Sequence, residues 1–197
     1  MNVGNWIVVL VVAALLIWAA ATYNDLLQKR NRVKNAFAQI DVQLKRRYDL
    51  LPNLVEIAKR YLTHESATLE AVTRARGEAM SAAMRARIRP TDSGVIGKLS
   101  IAEEALGGSL GRLMGVVESY PELKADKTMN SLSEELASTE NRIGFARQAY
   151  NDEVLEYNDA VGQVPALLVA RTCGFAPTAM LESTRNEQER EAPRLAF

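Results

Sequence analysis

The sequence predicts an all-α protein in which a single N-terminal transmembrane helix is continuous with an antiparallel four-helix bundle. Three observations carry that prediction. Trp6 to Ala21 reads WIVVLVVAALLIWAAA, sixteen consecutive apolar residues. Downstream, apolar residues recur at steps of three and four, the period of an amphipathic helix. No stretch alternates with the period of two that a half-buried strand requires.

The first element is the anchor, residues 1–24, which holds no charged side chain. A helix from Val3 to Tyr23 covers roughly 30 Å, the hydrocarbon thickness of a bilayer. Trp6 stands near one end, with Trp18 and Tyr23 near the other, where amphipathic rings favour the membrane interface. A cleaved signal peptide would carry a basic n-region, and Met1–Asn5 has no basic side chain. Basic residues flank one side only: Lys29, Arg30, Arg32 and Lys34 follow the segment. The positive-inside bias therefore predicts an inner-membrane, single-pass protein with its N-terminus outside and its body in the cytoplasm. The same four residues are candidates for contact with anionic membrane lipid.

The bundle is assigned to residues 25–165. Leu26, Arg30, Val33, Phe37, Ile40 and Leu44 form a heptad-type seam with one charged member. The anchor therefore runs straight into the first body helix. Pro52 disfavours helix at Leu51 and removes a donor, and Asn53 to Glu56 fits a capping box, so a turn is expected at Pro52. Helix two then runs from about Pro52 to Arg87. Its inward face is Leu54, Ala58, Tyr61, Leu69, Val72, Ala79 and Ala83. The loop Arg89-Pro-Thr-Asp-Ser-Gly94 leads to helix three, with Leu99, Leu106, Leu110, Leu113 and Val117 inward. The longest clean pattern is helix four, from Met129 through Leu136, Ile143, Tyr150 and Tyr157 to Val161. Residues 166–197 form a C-terminal segment and polar tail. In it Leu167 to Ala170 reads as a short packed or interfacial piece.

Composition excludes several chemistries. Lys+Arg and Asp+Glu are 24 each, so no net field favours nucleic acid as a partner. The lone Cys173 and the lone His64 cannot assemble a conventional His/Cys metal site. His64-Glu65 begins the zinc-protease pattern but Thr68 stands where its second histidine belongs. Cys173 is most simply a small apolar side chain. Carboxylates on helix four interleave with Arg142 and Arg147 at helical spacing, which side-chain pairing explains without acid–base work. Asp41, Asp49 and Glu56 are their expected cross-helix partners. Lys45-Arg46-Arg47 lies about 35 Å beyond Ala21 and reads as a solvated face. Gly107, Gly111 and Gly115 form a bare stripe where another helix can pack closely, inside the bundle or on a second subunit. Neither a catalytic site nor a cofactor is expected.

Several blocks resemble the LemA family of bacterial membrane proteins. They are Gln39-Ile-Asp-Val-Gln-Leu-Lys-Arg-Arg-Tyr-Asp-Leu-Leu-Pro-Asn-Leu-Val-Glu56, Gly108-Ser-Leu-Gly-Arg-Leu113, Glu118-Ser-Tyr-Pro-Glu-Leu-Lys124 and Ser138-Thr-Glu-Asn-Arg-Ile-Gly-Phe-Ala-Arg-Gln-Ala-Tyr-Asn-Asp152. Tyr23-Asn24 and Tyr157-Asn158 also fit, and the resemblance spans roughly Tyr23 to Glu182. It implies a membrane-tethered antiparallel bundle without enzymatic activity. Relatives associated with magnetosome membranes, or encoded near membrane proteases, imply roles in membrane organisation or as adaptors. Some relatives carry a lipoprotein cysteine before Tyr-Asn. Here Ala21-Thr22 stands there, so lipid anchoring does not carry over.

These readings lead to one functional expectation: a non-enzymatic, membrane-anchored scaffold that forms homo-oligomers. The alternative is an adaptor for another membrane protein, such as a protease or transporter.

Overall fold

The computed structural model describes residues 3–181, and among these every regular element is helical. The expected tail from Thr184 to Phe197 lies outside the described residues. The elements are α1 (Val3–Tyr61), α2 (Ser66–Ile88), α3 (Ser93–Glu118), α4 (Pro121–Ala125), α5 (Lys127–Gly162) and α6 (Ala166–Cys173).

Helix α1 is 59 residues long, or about 90 Å at the usual rise. Its apolar start touches nothing: Trp6 to Ile17 project outward and none of that window is buried. A core helix would bury such a segment, so this one awaits an apolar environment outside the chain. The body begins at Leu26, and Val33, Phe37, Ile40 and Leu44 follow it into the core as the heptad spacing requires.

The turn expected at Pro52 is not there. Helix α1 passes through Pro52 and ends at Tyr61, and the chain turns over residues 62–65. A mid-helix proline removes the donor to the carbonyl four residues back, here that of Tyr48. Arg76 on α2 supplies the replacement: its Nε donates to the Tyr48 carbonyl at 2.7 Å. Pro52 itself lies on the exposed side. Asn53 to Glu56 are thus interior helix residues rather than a cap.

The α2–α3 loop is also shorter than expected. Asp92 caps α3 by accepting from the Val95 amide at 3.1 Å, which starts the helix at Ser93, inside the loop expected to run to Gly94. Pro121 opens the short α4, and Asp126 caps α5 by accepting from Thr128 and Met129. Helix α6 ends at Gly174, whose φ of 74° is the left-handed conformation glycine adopts without penalty. The Phe175 amide reaches the Ala170 carbonyl at 2.9 Å, the six-to-one bond of a Schellman ending.

Packing is most extensive between α1 and α5, then between α2 and α3, then between α1 and α2. Val72, Ala75, Ala79, Ala82, Ala83 and Ala86 give α2 a face of mostly small residues, which lets neighbours come close. Helix α3 reaches α1 through side chains, and that gap holds the polar cluster described below.

Candidate functional site

Four features bear on function: the anchor end, a buried ion cluster, a C-terminal strap and two open grooves.

At the anchor end, Tyr23 meets the Phe175 ring edge-on at 5.5 Å. Arg30 lies over the same ring, 4.8 Å from its centroid, a cation–π contact. Lys29 bonds to Glu156 on α5, and Arg32 lies 3.6 Å from that carboxylate. The Lys29 ammonium holds the Glu156 carboxyl below its ordinary range. Of the four basic residues read as lipid candidates, three are thus engaged by the body, while Lys34 is solvent-exposed. Their spacing on α1 signalled positive charge, but the partners on α5 and after α6 were invisible to it.

The ion cluster corrects the reading of Lys45-Arg46-Arg47 as a solvated face. Arg47 is 1% exposed and projects into the gap between α1, α3 and α5. Its Nη1 lies 3.3 Å from Glu103, itself 3% exposed, and 2.9 Å from Glu140. Arg147 stands 3.9 Å from Glu103, and Tyr48 donates its hydroxyl to that carboxylate. Burial, and then the Glu103 charge, push the Tyr48 hydroxyl well above its ordinary range. Arg147, expected to reach Asp41, Asp49 or Glu56 across the helices, faces Glu103 instead; Arg46 pairs with Glu135 at 2.8 Å. Burying this set costs desolvation that pairing only partly offsets, so its contribution lies in fixing the register of three helices more than in stability. Helical spacing could place Arg47 beside Leu44 and Leu51 on the inward face. Its position inside a basic run hid that.

The strap is residues 175–181, which run back along α5. Tyr157 donates to the Ala176 carbonyl at 3.0 Å, and Tyr150 to that of Ala179 at 3.1 Å. Asn158 and Asn151 each make a two-way amide pair, with Thr178 and Leu181 respectively. Two Tyr-Asn dipeptides seven residues apart therefore present the same donor–acceptor set on one face of α5. That repeat was readable in sequence as a spacing, but its extended partner was not.

Gly111 and Gly115 of the glycine stripe are open among the described residues: a β-carbon built on either would meet no atom within 4 Å. Gly107 and Gly111 border a groove of about 300 Å3 shared with Leu136 and Glu140 of α5. A larger groove of about 700 Å3 lies at the far end, between Val55 and Leu62 of the α1 end and Leu69 of α2. His64 is exposed in the adjoining turn, and Cys173 is exposed at the end of α6 rather than packed as a small apolar side chain. Among the described residues, no group of three His, Cys, Asp or Glu side chains could hold a metal ion.

These features define an all-helical, membrane-associated protein with one N-terminal helix long and apolar enough to cross a bilayer. The LemA family matches residues 36–197, and the chain belongs to that family. Among curated proteins it is similar to the magnetosome protein MamQ of Magnetospirillum gryphiswaldense, 26% identical over 182 residues, covering 85% of this chain and 67% of the relative. Magnetosome proteins MamQ 1 and MamQ 2 of Paramagnetospirillum magneticum are each 27% identical over the same share of both chains.

Proposed function

We propose that this protein is a non-enzymatic, single-pass scaffold of the cell inner membrane that self-associates and organises the membrane or its proteins. One observation carries the reading: the membrane-length segment and the first body helix are one unbroken helix, α1, with only Asn24 and Asp25 between Tyr23 and buried Leu26. An anchor so joined transmits the arrangement of bodies to the arrangement of anchors, which a flexible tether would not do. The basic residues after the anchor support an N-terminus outside and a body in the cytoplasm. Along α1, partner numbers on α5 fall as α1 numbers rise, from Lys29 with Glu156 to Arg46 with Glu135, which supports an antiparallel four-helix bundle.

The open glycine face of α3 supports a homo-oligomer, because small residues let a second backbone approach. The resemblance of the chain to magnetosome proteins is consistent with work at a membrane surface. The test is the size of the full chain, purified in detergent, across a wide range of concentrations. A concentration-dependent assembly is expected; a monomer throughout overturns the scaffold.

The larger groove favours a second reading, an adaptor. Its apolar lining at the end farthest from the anchor is suited to a side chain of another membrane protein, such as a protease or transporter. A single stoichiometric heterologous partner recovered from solubilised membranes, and lost on Leu69→Glu, distinguishes this reading from self-assembly.

A further inference from the structure

We infer that α6 is a second, interfacial membrane contact, lying in the headgroup region beside the anchor with Val164 and Leu168 turned into lipid. The inference rests on the reading of the N-terminal helix as membrane-spanning.

The level of α6 follows from its contacts. Helix α6 packs on both α1 and α5. Phe175, which follows its glycine ending, sits against Tyr23, the last residue of the apolar segment, and beneath Arg30. The carbonyl of buried Ala170 accepts the Phe175 amide, so the middle of α6 is tied to the same place. On α5, Glu156 is level with Lys29, and the six residues from there to Gly162 carry the chain about 9 Å further towards the anchor. The turn into α6 therefore stands at the depth of Tyr23. The interfacial zone on each side of the hydrocarbon is about 5–7 Å thick, enough for a helix lying flat with one face inserted.

The exposed face of α6 has the chemistry for that position. Val164, in the turn that leads into α6, is 79% exposed, and Leu168 on the helix is 66% exposed. Such a pair has no cover among the described residues, while Ala170 on the opposite side is fully buried. Trp18 and Tyr23, at the end of the anchor's apolar segment, are also partly exposed. Arg171 and Thr172 are exposed at the following turn, and the long Arg171 stem can reach headgroup phosphate while its charge stays wet. Apolar groups at this depth gain by leaving water for lipid, while the terminal backbone groups of α6 stay within reach of headgroup water.

The test uses the full chain with Cys173→Ser, reconstituted in phosphatidylcholine vesicles, with one environment-sensitive label at a time. Labels go at Leu168→Cys, at Leu10→Cys in the anchor and at His64→Cys, about 55–60 Å beyond Tyr23 along α1. Leu168 and His64 are exposed, so neither label disturbs the core. The Leu168 label is expected to be quenched several-fold more by lipids labelled near the headgroup than the His64 label is, and several-fold less by aqueous iodide. The Leu10 label is expected to respond to lipids labelled deep in the acyl chain. If the Leu10 label is in lipid and the Leu168 label is as open to iodide as that at His64, the α6 contact is wrong and the anchor stands. If the Leu168 label is shielded from both quenchers, protein covers α6 and the lipid contact is likewise overturned. An aqueous Leu10 label overturns the spanning anchor and the α6 contact together.

Discussion

Arg76 donates its Nε to the backbone carbonyl of Tyr48 at 2.7 Å, the one carbonyl of α1 that Pro52 deprives of its helical donor. A side chain on α2 thereby repairs the backbone of α1, and a helix that a proline should end continues for nine more residues to Tyr61. Charged donors to carbonyls contribute roughly 1.5–3 kcal/mol, so Arg76→Ala should cost about 2 kcal/mol in the full chain. With Pro52→Ala the helix regains its own donor, and the cost of Arg76→Ala should fall below about 1 kcal/mol. Urea unfolding of the four proteins of this cycle, in detergent, measures the difference; equal costs in both backgrounds would sink the repair.

Arg47 is the centre of the buried ion cluster, and removing it leaves Glu103 only the longer contact to Arg147 and the Tyr48 hydroxyl. Arg47→Met should destabilise by about 2–4 kcal/mol, somewhat less than the usual cost of a buried charge left wholly unpaired. Adding Glu103→Gln should recover much of that loss, since the amide oxygen still accepts from Tyr48. Thermal midpoints of the single and double variants decide this; additive losses would mean the two residues are not coupled.

The strap depends on amide groups whose geometry is two-way. Asn158→Leu should free the Thr178 backbone from α5 without unfolding the helix, because Asn158 serves Thr178 through both its oxygen and its nitrogen. Hydrogen exchange at the Thr178 amide should accelerate roughly tenfold, as expected when a bond worth about 1–1.5 kcal/mol is lost. Exchange within α5 should be unchanged.

Two carboxylates set an acid limb. Asp126 is held below its ordinary range by the Met129 amide first and the Tyr61 hydroxyl second, and Glu156 by Lys29. A folded value below the unfolded one contributes stability above about pH 4, lost as pH falls through the depressed value. Asp126→Asn keeps the cap but cannot titrate, so the fall in thermal midpoint between about pH 5 and pH 3 should be shallower than in the parent. An unchanged slope would remove Asp126 from the acid response.

The glycines of α3 separate folding from assembly. Gly111→Ala meets open space within the chain and should raise monomer stability by about 0.5–1 kcal/mol through helix propensity. Gly111→Leu should leave the fold intact and weaken association in detergent sizing. A bulky residue that leaves association unchanged would move the interface elsewhere.

The core was legible because its signal is periodic. Leu26 to Leu44, Leu99 to Val117 and Met129 to Val161 bury nearly the residues that steps of three and four select. Pro52 misled because a local rule about a missing donor was answered by a residue 24 positions away, and no local pattern encodes Arg76. Arg47 misled for the opposite reason: its neighbours Lys45 and Arg46 are exposed and made the run look uniform. The strap was hidden because residues 175–181 form no regular element and are held by contacts with α1, α5 and the α2–α3 region, all distant in sequence or outside any periodic pattern. Partners distant in sequence are what a single chain of letters leaves out.

With the N-terminal segment spanning the bilayer as proposed, the unbroken course of α1 makes the protein a lever with its fulcrum at the headgroups. From Tyr23 to Tyr61 the arm is about 57 Å, so a 10° change in the inclination of the anchor sweeps its far end through about 10 Å. Inclination responds to the thickness of the surrounding bilayer, since a hydrophobic stretch tilts to match it. The distal groove at Leu62 and Leu69 therefore rides on a pointer, and its height above the membrane reports on the lipid in which the other end is set.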